Sequence, residues 1–199
     1  MRRISDVYPA PHAPVKLEPL LRGQLLLGSP SLVDPNFRRT VVLIGEHHEE
    51  EGALGVILNR PTGVTVAEAA PALASLVPED ELVFAGGPVR PDSVLVLAEV
   101  EDASVVDGLV VGDVGFLRGD ADFDELPRLV RRARVFAGYA GWSAGQLEAE
   151  VESDDWMLVE ARPEDAFAPE SVDLWADAVR RKGGPYRLVA TMPEDPTLN

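Results

Sequence analysis

The chain has no cysteine, which removes disulfides, thiolate nucleophiles and zinc–thiolate sites at the outset. Its only lysines are Lys16 and Lys182, and its only histidines are His12, His47 and His48. A phosphate-cradling loop of the Walker type needs a lysine and a hydroxyl residue directly after its glycines, and neither lysine has that context. Long apolar runs are missing as well: charges, glycine or proline interrupt every candidate, so no segment reads as membrane-spanning. Arg2 and Arg3 precede a polar, proline-broken stretch, 4–14, where a signal peptide would carry its apolar core. The expected compartment is therefore the cytoplasm. Cations are scarce, with 18 Lys and Arg against 34 Asp and Glu, for a net charge of −16. Such a field repels phosphate backbones and anionic headgroups, so neither direct nucleic-acid binding nor a membrane partner is expected.

What is present is an ordinary globular balance, 46% apolar and 26% charged, enough for one substantial core. Pro9, Pro11, Pro14 and Pro19 mark residues 1–19 as a flexible arm, and 20–199 are expected to form a single domain. Two compact apolar runs, Thr40 to Gly45 and Ala53 to Asn59, flank the charged segment E-H-H-E-E-E-G and predict a hairpin. Both runs are apolar on successive residues, so both sheet faces should be covered. Further strands are predicted at Leu25 to Leu27, Leu82 to Ala85, Val94 to Val100, Leu109 to Val111, Val114 to Leu117, Arg134 to Ala140, Trp156 to Glu160 and Tyr186 to Thr191. Helix starts are signalled by Thr65 with Glu68, Asp122 with Glu125, Ser143 with Gln146, and Ser171. Pro71 and Pro127 threaten the first two helices. Strands outnumber helices without strict alternation, which gives an α+β fold on a mixed sheet.

Several features carry potential chemistry. Gly141 to Gly145 reads G-W-S-A-G, matching the nucleophile-elbow pattern, but every histidine precedes Ser143, so the α/β-hydrolase order Ser, Asp, His is impossible. Ser143 with Gln146 also forms an S-x-x-Q capping box, which explains the serine without catalysis. Glu46, His47, His48 and Glu49 to Glu51 are metal-ligating types, yet neighbouring residues diverge and read as a solvated turn. Gly86-Gly87-Pro88 is a turn that could let backbone approach a ligand. Asp34 to Arg39 reads as a turn in which Phe37 can anchor in the core and Arg39 can pair with a carboxylate or hold an anionic ligand, the structural ion pair being favoured. Tyr139 and Trp142 could wall a small-molecule site. The arginines at 128, 131, 132 and 134, and Arg180, Arg181 and Lys182, are expected near helix ends.

The segments G-Q-L-L-L-G-S-P from Gly23, D-P-N-F-R-R-T-V from Asp34, G-A-L-G-V-I-L-N-R-P from Gly52, F-A-G-G-P-V from Phe84, G-Y-A-G-W-S-A-G-Q-L-E from Gly138 and D-P-T-L-N from Asp195 together resemble the YqgE/AlgH family, in order over nearly the whole chain after the arm. The resemblance implies a cytosolic bacterial protein whose bifurcated sheet curls into a pseudo-barrel with flanking helices. It supplies no established reaction. The family carries a transcriptional-regulator label from an association with alginate control, without a recognised DNA-binding motif. Its pattern usually has glycine at the position of Ser143. Its polar positions Asp34, Arg39, Glu46, Asn59, Gln146 and Glu150 are candidates for a shared surface, alongside Gly86, Gly87, Tyr139 and Trp142.

The reading that results is a non-enzymatic regulatory or binding module for a small ligand or a protein partner, with no catalytic residue, metal or cofactor assigned. Two alternatives stand beside it. One is a hydrolase using Ser143 or a carboxylate pair; the other is a regulator acting on DNA directly, through the Arg128 to Arg134 cluster, or through a partner.

Overall fold

The computed structural model describes residues 21–122 and 125–192; the proposed arm, Phe123 and the D-P-T-L-N segment lie outside them. Strands β1 (Gln24–Gly28), β2 (Val41–His48) and β3 (Gly52–Ile57) form an antiparallel meander. Their apolar residues alternate between two cores. Leu25, Leu27, Val41, Leu43 and Val56 belong to one cluster, and Leu26, Val42, Ile44, Ala53 and Ile57 to another on the opposite face. Continuous apolar runs therefore meant what they promised, a sheet covered on both sides.

Next come β4 (Pro61–Thr65), α1 (Val66–Ala69), β5 (Leu82–Ala85), β6 (Val89–Val100), β7 (Val106–Val111), β8 (Val114–Leu117), α2 (Leu126–Leu129) and β9 (Val130–Trp142). The chain ends, among the described residues, with α3 (Gln146–Glu152), β10 (Trp156–Glu160), α4 (Leu174–Lys182) and α5 (Tyr186–Val189). The ten strands run β10-β1-β2-β3-β9-β6-β8-β7, with β4 and β5 as a side branch. Pairing is antiparallel except for β5 against β9.

The sheet forks on β9. One edge of β9 pairs with β6, while the other is shared, antiparallel β3 at Ala140 to Trp142 and parallel β5 at Phe136 and Ala137. Gly86 fills the crotch: its N–H donates to Ala137 O at 2.8 Å and its carbonyl accepts from Ile57 N at 2.9 Å. A Cβ on Gly87, whose φ is +156°, would lie 2.2 Å from Tyr139 C. The glycine pair thus permits two backbones to meet rather than a backbone and a ligand. The expected pseudo-barrel is not closed: β10 and β7 end the strand path and do not pair with each other, although a Cβ on Gly23, just before β1, would meet Val110 O of β7 at 2.6 Å.

Several local expectations are corrected. Thr65 and Glu68 do form the full capping box of α1, but the helix stops at Ala69 and Pro71 opens a 3-10 turn, Pro71–Leu76; proline at a first position is tolerated where it could not continue the helix. Helix α3 begins at Gln146 with Gly145, φ +74°, as its N-cap, and no side chain caps it. Asp173, not Ser171, caps α4, its Oδ1 accepting from Ala176 N at 2.9 Å. Residues 186–189 are helical, not a strand. Arg131, Arg132 and Arg134 lie on β9 rather than at a helix end, whereas Arg180, Arg181 and Lys182 occupy the last turn of α4 as expected.

Candidate functional site

The ten candidate residues do not converge on one spot. Gln146 and Glu150, on successive turns of α3, are spent on architecture. Glu150 Oε2 accepts both indole N–H groups, from Trp142 and from Trp156, each at 2.8 Å, and Oε1 accepts from Gln146 Nε2 at 2.9 Å. Phe37 completes the cluster, stacked on Trp142 at 6.2 Å and edge-on to Trp156 at 5.4 Å. Trp142 is thus a core residue, and Phe37 is the anchor the sequence suggested. Gln146 Oε1 in turn accepts from the backbone N–H of Ser143 at 3.1 Å and from its hydroxyl at 3.0 Å.

Glu46 and Tyr139 line a cavity of about 410 Å³ together with His48 and Ser143. The serine hydroxyl and an imidazole do share this hollow, but the hydroxyl proton is directed at Gln146, and no hydrogen bond joins Ser143 to His48 among the described residues. His47 is separate: it is buried, with Nε2 2.8 Å from Glu148 Oε1. The E-H-H-E segment is thus mostly strand, with only Glu49–Glu51 left for the turn, and among the described residues no group of three His, Asp or Glu side chains could hold a metal ion.

Arg39 and Asn59 remain, and they meet. Arg39 has φ +52°, a left-handed backbone that costs a residue with a Cβ about 1–3 kcal/mol and persists only where its surroundings enforce it. Three contacts enforce it here. Asn59 Nδ2 donates to Arg39 O at 2.9 Å while Asn59 Oδ1 accepts from Val41 N at 2.9 Å. Arg60 donates to Arg38 O. Asp34 shapes the preceding turn, its Oδ1 accepting from Asn36 N at 2.8 Å, but it does not line the cavity that results.

That cavity, about 330 Å³, is lined by Arg39, Asn59 and Arg60 together with the 168–173 loop, which carries Glu170 and Asp173, and Phe84 and Trp175 add aromatic surface. The Arg39 guanidinium lies 4.1 Å over the Trp175 ring and donates to Met192 O at 2.8 Å. Its nearest carboxylate, Asp173, is 3.6 Å away and more than half exposed, so the expected ion pair is a loose one. Trp175 is itself fixed by its indole N–H to Gly28 O at 2.9 Å. Sequence reading missed Arg60, Trp175, Glu170 and Asp173; the N-R-P run at 59–61, directly after an apolar strand, was the available signal for the first. Arg134 is buried over Phe84 at 4.2 Å, bound to Ala168 O at 3.0 Å and 3.3 Å from Glu81. Burial pushes its pKa down, against the pull of Glu81.

Two other arginines of that cluster, Arg131 and Arg132, are engaged at the surface. Arg131 lies within 3.4 Å of Glu99, 3.7 Å of Glu101 and 3.3 Å of Asp113, and the hydrogen bond to Asp113 raises its pKa above the usual value. Arg132 is paired with Glu99. No helix among the described residues is long and apolar enough to cross a membrane.

The AlgH-like family model matches residues 25–187. The chain belongs to the AlgH-like family. Proteins similar to it include a UPF0301 protein of Streptomyces avermitilis, 44% identical over 90% of this chain and 95% of that one, and another of Mycobacterium ulcerans, 41% identical over 96% and 97%. A crystal structure of a Corynebacterium diphtheriae protein superimposes with a TM-score of 0.78 at 35% identity, over 86% of this chain and 92% of that one. The solution structure of AlgH from Pseudomonas aeruginosa does so with a TM-score of 0.66 at 27% identity, over 97% and 98%. The matched span of the AlgH-like model contains every residue of the Arg39 cavity.

Proposed function

We propose that this AlgH-like chain is a cytoplasmic binding module, and that the Arg39 cavity takes a small zwitterionic metabolite. The observation that carries the reading is the strained backbone of Arg39. A left-handed arginine held by a dedicated asparagine is costly unless its guanidinium is needed where it stands. Two guanidinium groups in the lining suit a carboxylate or phosphate, the acidic loop suits an ammonium group, and the aromatic side chains supply apolar contact in a volume of small-molecule size. Ser171 is the one hydroxyl-bearing side chain among the lining residues and no histidine joins it, so the lining contains no nucleophile–base pair of the kind acyl transfer uses. The reading is therefore of binding without turnover, coupled to a regulatory output.

Thermal-shift and native mass-spectrometry screens against free amino acids and other small zwitterions test it. A ligand present at a hundred times its Kd should stabilise the protein by about 2.7 kcal/mol, and the same ligand should leave an Arg39→Gly variant unshifted. A panel that shifts neither protein, or both equally, contradicts the proposal.

A further inference from the structure

Strand β6 is longer than the strand that covers it. Along one edge it pairs with β9 from Val89 to Val100, but on the other β8 reaches only Leu97, Ala98 and Glu99. After Phe116 the β8 chain turns away: Leu117 pairs with Val106 of β7, and Arg118 N–H donates to Val105 O at 3.0 Å. Val94, Leu95 and Val96 thus have a strand on one side and, among the described residues, none on the other. The side on which their peptide groups stand follows from alternation. Val100 N–H donates towards β8, to Asp113 O at 2.9 Å, and every second residue of a strand presents its N–H and C=O to the same edge. Ala98 therefore faces β8, and Val96 and Val94 face the open edge.

Uncovered edges invite another strand, and proteins ordinarily blunt them with lysine, proline or a bulge. Here Pro91 and an irregular register between Val89 and Val94 stop just short of the open stretch Val-Leu-Val, in which Val94 is 54% exposed, Leu95 half-buried and Val96 buried beside the cavity. Beside it lies a cavity of about 470 Å³, lined by Leu54, Leu73, Leu126 and Phe116. Two exposed carboxylates, Glu46 and Asp107, stand at its rim, while its one basic lining residue, Arg118, is already paired with Asp120 at 2.9 Å.

We propose that the open edge of β6 receives an extended, basic peptide of a partner protein by strand addition. Main-chain bonds would run to Val94 and Val96, one apolar side chain would enter the cavity, and flanking Lys or Arg would face Glu46 and Asp107. Charge selects the occupant: a second copy of this chain brings its own net −16 to an acidic rim, whereas a basic segment is attracted. The site is separate from the Arg39 cavity and stands whether or not that cavity binds a metabolite.

The test is fluorescence anisotropy with the full chain and two labelled probes, acetyl-Lys-Val-Leu-Val-Lys-amide and its glutamate counterpart, acetyl-Glu-Val-Leu-Val-Glu-amide. The basic probe should bind saturably and more weakly as salt rises, and the acidic probe should not bind at the same concentration. Val94→Pro removes the donor on the open edge while leaving the β9 ladder intact, as proline is tolerated on such an edge. Ala72→Trp fills the cavity from its exposed wall. Each should weaken the basic probe about tenfold or more, with thermal unfolding confirming that the variants fold, while Arg39→Gly should leave binding unchanged. No saturable binding at millimolar probe, equal binding of both probes, or binding indifferent to both variants would overturn the proposal. So would a dimer seen by sedimentation that Val94→Pro dissolves, because the occupant would then be a second copy.

Discussion

Asn59 holds Arg39 in a left-handed conformation, donating to its carbonyl at 2.9 Å while accepting from Val41 N, two residues further on, at 2.9 Å. One amide side chain thereby fixes the approach of the chain to β2 and the direction from which Arg39 reaches Trp175. Backbone strain at Arg39 and the placement of its guanidinium are thus coupled through one side chain.

That coupling can be separated by substitution. Arg39→Gly and Arg39→Ala both remove the guanidinium, but only glycine is at ease at φ +52°. The glycine variant should be more stable than the alanine variant by about 1 kcal/mol, read from urea midpoints at equal m-value. Equal midpoints would mean that the backbone relaxes and stores no strain. Asn59→Ala should cost about 2 kcal/mol, because it leaves the Val41 N–H without a partner.

The tryptophan cluster gives a spectroscopic prediction. Glu150→Ala strips the shared acceptor from two largely buried indoles and should cost about 2–6 kcal/mol, at 1–3 kcal/mol for each unsatisfied group, with altered tryptophan emission. Glu150→Gln should cost less, since its carbonyl can still accept from both indoles, but its NH2 would confront the Gln146 NH2. If that amide flips in response, Ser143 N loses its acceptor. A Glu150→Gln variant as damaged as the alanine variant would show that negative charge, rather than acceptor geometry, holds the cluster.

Glycines should divide by what surrounds them. Gly87→Ala forces a Cβ against the Tyr139 and Ala140 backbone at 2.2–2.3 Å and should destabilise by about 3 kcal/mol. Gly145→Ala meets nothing within 4 Å, and at φ +74° should cost only about 1 kcal/mol. Thermal unfolding of the pair measures how firmly the fork at Gly86 and Gly87 sets the fold.

Ser143 makes an exposed hydrogen bond to Gln146 and does not cap α3. Ser143→Ala should therefore change stability by no more than about 0.5 kcal/mol, below the cost of losing a true N-cap. A fluorophosphonate probe should leave Ser143 unlabelled. Covalent labelling, lost in the His48→Ala variant, would instead make their shared cavity an esterase site.

How much of this was legible in the sequence depended on whether a segment's own residues settled its state. Strands β5, β8 and β10 were readable to the residue, because each is a short apolar run bounded by turn formers or charge. Strand β4 was invisible: Pro-Thr-Gly-Val-Thr has four exposed residues and pairs with β5 only at its two ends. Tyr186 to Thr191 carries the β-type residues of a strand, yet Pro185 opens a short helix there, Tyr186–Val189, in place of a strand. Arg131 and Arg132 looked like a helix end because their partners, Glu99, Glu101 and Asp113, lie at least 18 residues away along the chain. Arg39 and Asn59 were recoverable as family-like polar positions, but their meeting is a product of the β2–β3 pairing, and Trp175 joins them only because α4 packs back over β1.

The most direct test of the central claim is a titration of isotope-labelled protein with the best zwitterion from the screen, following the Trp175 indole N–H and the Arg39 side-chain N–H resonances. Both should shift saturably with a common Kd in the wild type, with no response at Trp175 in Arg39→Gly. Saturable shifts that bypass both residues, or that persist at Trp175 without the guanidinium, would contradict a binding site built on Arg39.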